Sequence, residues 1–165
     1  MESLVCQLID YIKENMPELQ TVDEDYGQLE AIDSDDKDTY PVVFPAVLLN
    51  PSETDWSNLS GKSQKGKSTI VVRLAIDCYD DTHAGSGTTD AITDRAAMVE
   101  KLHGLLQCYR PENNDGEMIR ERSKFYTWSH GIKVYESYYT VSVTDLIPET
   151  ESVPKPGLKI SVKKL

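Results

Sequence analysis

The sequence is poor in the residues that mark most ligand classes. Of its 165 residues only three are Cys, two are Trp and two are Phe, and Lys plus Arg number 17 against 28 Asp plus Glu. The formal net charge of −11 argues against a nucleic-acid backbone as the main ligand, because such binders gain affinity by releasing counterions to cationic side chains. It argues equally against an anionic membrane surface. Long apolar runs are missing too: Pro41 to Leu49 falls far short of the ~20 residues that span a bilayer. The opening stretch MESLVCQLIDYIKEN has no basic n-region and carries Glu2 and Asp10 among its apolar residues. It does not read as a signal peptide. Cys6, Cys78 and Cys108 are odd in number and widely spaced, which predicts reduced, buried thiols in a cytosolic compartment. What remains is ordinary: a 39% hydrophobic content suits one globular domain.

Apolar periodicity divides the chain. Leu4, Leu8 and Ile12, flanked by Val5, Ile9 and Met16, predict an amphipathic helix with Ser3 as N-cap and Pro17 as stop. Asp23 to Asp38 holds eight acids (Asp23, Glu24, Asp25, Glu30, Asp33, Asp35, Asp36, Asp38) against Lys37. Such a block repels itself and predicts a solvated, mobile loop around a short strand at Gly27–Ile32. PVVFPAVLLN (Pro41–Asn50) has strand composition, and Pro45 demotes it to an edge or bulge. Gly61–Gly66 reads as a flexible loop. In Ser68–Tyr79, Ile70, Val72, Leu74 and Ile76 alternate with Arg73 and Asp77, which predicts a strand with one buried and one wetter face. Ile92, Ala96, Val99, Leu102, Leu106 and Tyr109 make a helical stripe over about Thr89–Tyr109, capped by Thr89 and ended by Pro111. Met118–Trp128 and Ile132–Leu146 flank Ser129–His130–Gly131 as a hairpin. The predicted fold is α+β: a small, mainly antiparallel β-sheet with two α-helices packed on one face. Residues 1–147 form the domain, and 148–165 form a Pro-containing linker with a C-terminal strand, in which Leu158, Ile160 and Val162 alternate with Lys159, Ser161 and Lys163.

Catalytic and cofactor motifs fail on context. Gly61-Lys-Ser-Gln-Lys-Gly66-Lys67-Ser68 matches the P-loop pattern, but that chemistry needs a helix after the loop to aim its amides at phosphate. Here an alternating strand follows, so a cationic hairpin loop is expected. Gly85-Ser-Gly87 has Asp90 at the third glycine position of a dinucleotide fingerprint. Asp33-Ser-Asp-Asp-Lys-Asp38 has Asp38 and Phe44 where a Ca²⁺ loop needs Gly and Glu. His83, His103 and His130 have no Cys or His at metal spacing, and no nucleophile elbow occurs. No catalytic, cofactor or metal residue is nominated. Tyr is abundant at nine residues, and Tyr126, Trp128, Tyr135, Tyr138 and Tyr139 crowd the C-terminal hairpin. Two readings stand side by side: ordinary sheet packing, or a protein–protein surface.

Element order and texture carry one resemblance. An N-terminal helix, VVFPAVLLN, a loop with Trp56, QKGKSTIVVRLAIDCYDDT, the helix RAAMVEKLHGLLQ and the strand VYESYYTVSVTDL together resemble the tail terminator (tail-completion) and minor tail proteins of long-tailed bacteriophages and prophages. More loosely they resemble other head–tail joining proteins. The resemblance covers about Met1 to Leu146; the acidic insertion and the Lys-rich tail depart from it. It implies a non-enzymatic virion protein, assembled in the bacterial host cytoplasm, that forms a ring, commonly a hexamer, at the end of the tail tube. Its partners would be copies of itself, the tail tube and head-completion proteins, with DNA passing through the ring and no cofactor or metal. An acidic lumen would let DNA slide without gripping it. On this reading Tyr126, Trp128, Tyr135, Tyr139, Leu158, Ile160 and Val162 are the candidate subunit interface. The rival is a small cytosolic ligand-binding or enzymatic domain using the cleft between sheet and helices.

Overall fold

A computed structural model describes residues 2–32, 42–112 and 116–146. Helix α1 (Glu2–Asn15) buries Leu4, Val5, Leu8 and Ile12, with Glu2 in its first turn and Lys13 in its last, both placed to favour the helix dipole. It stops at Asn15 because Pro17 disfavours helical dihedrals at Met16. Ser3 lies inside the helix and is not its cap; its hydroxyl accepts a bond from Gln7 at 3.4 Å.

Strands β1 (Thr21–Glu24), β2 (Ala46–Ser60), β3 (Ser63–Ile76), β4 (Ile119–Thr127) and β5 (Lys133–Leu146) form one sheet in the order β1-β2-β3-β5-β4. The β1–β2 pair is parallel and the others antiparallel. The first strand therefore precedes the predicted Gly27–Ile32, which is a turn instead. Gly27 has φ +96°, and Ala31 N–H donates to its carbonyl at 3.0 Å. A strand cannot continue through that left-handed residue. Nor is the start of the acidic block a free loop: Leu29 is fully buried, and Arg73 holds Asp25 and Glu30. The rest of that block, including the Asp33–Asp38 motif, lies outside the described residues.

Pro45 does not demote β2, which begins at the next residue and lies between β1 and β3. Its missing N–H falls just before the ladder, where none is needed. Likewise Gly61–Gly66 is not a loop: β2 and β3 form one long hairpin closed at Gly61–Lys62, with φ +56° at Gly61. Ile70, Val72, Leu74 and Ile76 do share one buried face, but Val71, Arg73 and Ala75 on the other face are buried as well.

Helix α2 (Asp90–Leu106) is shorter than its stripe predicted. Thr89 has helical dihedrals and makes no side-chain cap bond. At the far end Gln107 turns extended, and Cys108, at φ +63°, donates to Met118 O at 2.8 Å. The backbone thus leaves the helix to pair, well before Pro111. Ile92 and Ala96 are exposed, while Leu102 and Leu106 are buried. The 3-10 turn Ser129–Gly131 closes the β4–β5 hairpin as expected.

One apolar cluster unites Leu4, Leu8, Ile12 and Met16 of the N-terminal helix region with Leu102 and Leu106 of α2 and with Val47, Leu49, Ile70, Val72, Leu74, Tyr139 and Val141 of the sheet. A smaller cluster of Leu29, Leu48, Ala75, Ile132 and Val134 lies on the sheet's other face. The cysteines are free but not buried: Cys6 and Cys108 are exposed and Cys78 is half-buried.

Candidate functional site

Strand alternation splits the hairpin aromatics between the two faces. The β4–β5 register pairs Tyr126 with Val134 and Phe125 with Tyr135, so Tyr126 faces away from Tyr135 and Tyr139. Tyr139 is 1% exposed, and its hydroxyl meets His103 Nδ1 at 2.9 Å. Burial pushes this phenol up to about 12. Burial, and then the Arg120 charge, hold His103 below its ordinary value. Tyr139 is therefore a core residue and not surface in this chain, while Tyr135 packs half-buried beside it. Tyr126 and Trp128 meet edge-to-face at 6.2 Å over the smaller cluster. Leu158, Ile160 and Val162 lie outside the described residues.

Several other large apolar side chains reach solvent, three of them on β2 and β4. Phe125 is 80% exposed, Leu59 57% and Trp56 47%. The segment with Trp56, expected as a loop, is part of strand β2, which also carries Leu59, and Phe125 follows the polar run Arg-Ser-Lys. Trp56 lies across Gly66: a Cβ there would come within 3.0 Å of the indole and 2.7 Å of Thr54 Cγ2. Gly66 thus permits close packing across the hairpin, which is a structural reason for a glycine that the P-loop pattern would assign to phosphate. Lys67 of that pattern pairs with Glu121 of β4.

On the smaller cluster's face the sheet carries a charged network around a shallow concavity of about 370 Å³, bordered by Asp25, Glu30, Arg73, Glu136 and Tyr138. Arg73 contacts Asp25 and donates to Glu30 at 2.6 and 3.3 Å. Burial opposes its charge, but these carboxylates more than offset it and raise its pKa further. Glu136 accepts from Tyr138 and, at 3.1 Å, from Tyr126, and pairs with Lys124 at 3.0 Å. Burial would raise the Glu136 pKa, yet hydrogen bonds from Tyr138, Lys124 and Tyr126 together hold it below the usual carboxylate range. Glu30 is lowered by Arg73. A general base works best with a pKa near the operating pH, and these carboxylates are shifted the opposite way. The ion pairs link the Asp25–Glu30 segment to β3 and β4 to β5.

The cleft that the rival reading needs, between α2 and the sheet, is filled. Val72, Leu74, Leu102, His103 and Tyr139 border a cavity of about 10 Å³, no more than a single water requires. Among the described residues no group of His, Cys, Asp or Glu is arranged to hold a metal.

No family model and no curated protein matches the sequence. A solved structure does. A chain of the virion of a native gene transfer agent particle aligns over 88% of this chain and 95% of its own length, with TM-score 0.50 and 11% identity. The likeness is one of fold. It takes in nearly the whole of that virion chain.

Proposed function

We propose that this chain is a non-enzymatic structural protein of a phage or prophage particle, and within that class a tail terminator. It would form a ring, of six copies in the usual case, at the end of the tail tube, joining the tube to the head. The observation that carries the class is the near end-to-end likeness to a gene transfer agent virion chain. The terminator role rests on the resemblance in element order. Three features support it. Residues of both helices join sheet residues in one apolar cluster. The long β2–β3 hairpin carries exposed apolar residues at its tip. The net charge of −11 suits a ring that DNA slides through without being gripped. Head-completion and tail-tube proteins would be its partners, in the virion and during assembly in the host cytoplasm.

The test is genetic and structural together. Deleting the coding sequence from a particle-producing genome should leave heads and tails unjoined, and the purified chain should form rings by electron microscopy. Complete particles in the deletion strain would overturn the virion role. Unjoined particles without rings would retain the class and remove the terminator.

A further inference from the structure

The outer side of β2 is covered along only part of its length. Parallel β1 covers β2 only from Ala46 to Leu49. From Asn50 to Ser60, among the described residues, no strand pairs with the outer side of β2, although β3 continues on its inner side. The opposite edge ends in β4, whose outer side also pairs with no strand among the described residues, but β4 carries Arg120, Arg122 and Lys124, which would repel a lysine-bearing strand. There β4 reaches Thr140 of β5, and Gly116 then lies so close that a Cβ on it would sit 3.0 Å from the Ser142 nitrogen. A bare edge of this length is a template for another strand.

Its two faces differ in chemistry. The register places Glu53 opposite Thr69 and Asp55 opposite Lys67 on one face, and Thr54 opposite Ser68 and Trp56 opposite Gly66 on the other. One face of the bare edge is thus acidic and the other presents the exposed indole. The segment Leu158–Lys163 alternates in the complementary sense: Leu158, Ile160 and Val162 on one face, Lys159, Ser161 and Lys163 on the other. Laid beside β2, it sets its aliphatic side chains next to Trp56 and its lysines next to Glu53 and Asp55. A slip of one residue would invert both matches, so the pairing specifies its own register.

We propose that residues 158–163 of one copy add as a strand to the bare β2 edge of a second copy. β5 ends at Leu146, opposite Ser63 at the hairpin tip, and eleven residues, 147–157, separate it from Leu158. With Pro148, Pro154 and Pro156 among them, their composition favours an extended spacer of roughly 34 Å. The strand site on a chain's own β2 edge is only three strand spacings from β5, about 14 Å. A spacer of that reach spans the distance to a neighbour's edge as well as to the chain's own. The inference rests on the ring reading for the claim that copies meet, and names the contact between them.

Full-length protein tests it. Ile160→Pro removes a ladder donor, and the expected result is assembly at about tenfold higher concentration by light scattering, with faster amide exchange at 51–60 and unchanged exchange at 46–49. Glu53→Lys with Asp55→Lys should weaken assembly similarly, and adding Lys159→Glu with Lys163→Glu should restore it. A synthetic peptide of residues 156–165, added to the Ile160→Pro chain, should protect 51–60. Unaltered assembly in Ile160→Pro, or a peptide that protects nothing, overturns the inference. So does edge protection that persists in dilute, monomeric wild type, since a chain would then be using its own tail. Rings indifferent to these substitutions leave the terminator reading standing without this contact. Open chains that depend on them uphold the contact and remove the ring, because a repeated head-to-tail contact closes only at the right rotation.

Discussion

The base and the tip of the β2–β3 hairpin are made from the same two strands, yet the base is buried on both strands and the tip is mostly exposed, Gly66 and Ser68 being buried there. Ala46–Leu49 and Ile70–Ile76 sit between the two apolar clusters, whereas nearly every residue from Glu53 to Ser60 is exposed. Burial therefore explains the base, and something else must extend the tip. That something is the ladder: β5 accompanies β3 all the way to Ser63, and backbone pairing is indifferent to side chains. A protein that carries an extended, unburied strand pair with an exposed Trp and Leu holds surface suited to a partner. The base is where stability should reside, and the tip is where assembly should.

The largest effect is expected at the base, at Arg73→Met. Asp25 has only 6% of its side chain exposed, and removing its cation leaves a buried charge unpaired, at about 3–5 kcal/mol. Chemical denaturation should show this as a lower midpoint; a loss under about 1 kcal/mol would mean that the network is ornamental. Next comes the apolar side. Leu8 of α1 is fully buried and Leu102 of α2 is 6% exposed, so each Leu→Ala change should cost about 2–5 kcal/mol, with Leu8 the greater. Equal losses would indicate that the partly exposed α2 is as well seated as α1.

How much of this was readable beforehand follows the same division. α1, the apolar face of β3 and the β4–β5 hairpin leave a period in the sequence because burial selects alternate or every third-to-fourth side chain. At the tip no such selection acts, so Thr54–Ser60 and Gly61–Gly66 looked like loop. The charged network was hidden for another reason. Arg73 and Glu30 are 43 positions apart, and Asp25 and Glu30 had been counted into a self-repelling acidic block whose cation lay on a distant strand. Tyr139 was visible as an aromatic but not as core, since only the fold reveals that α2 covers it. The candidate contacts at Leu158, Ile160 and Val162 were legible as alternation alone.

Acid should erode the base. Glu136 and Glu30 titrate below their ordinary 4.5 in the folded chain, so they bind protons less readily than in the unfolded chain. Their contribution is complete above that value and is lost as the pH falls through the folded values beneath it. Stability measured from pH 6 downward should decline with a slope that Glu136→Gln makes shallower. A slope unchanged by that substitution would show that Glu136 is no better stabilised than in the unfolded chain.

The smallest effect belongs to the tip, at Lys67→Ala. Lys67 pairs with Glu121, but the two side chains are 56% and 48% exposed, and such pairs contribute little because water screens them and ordering two long side chains offsets the attraction. Thermal unfolding should barely move, and salt should narrow the difference further. The same variant decides what the Gly61–Ser68 pattern means. Lys67 lies mid-strand in β3, paired with Ser142 and Asp55, where no helix follows to aim backbone amides at phosphate. Calorimetric titration with ATP and Mg²⁺ should release no binding heat from either protein. Micromolar binding lost in Lys67→Ala would instead make this lysine a phosphate ligand, and the exposed tip a nucleotide site rather than an assembly surface.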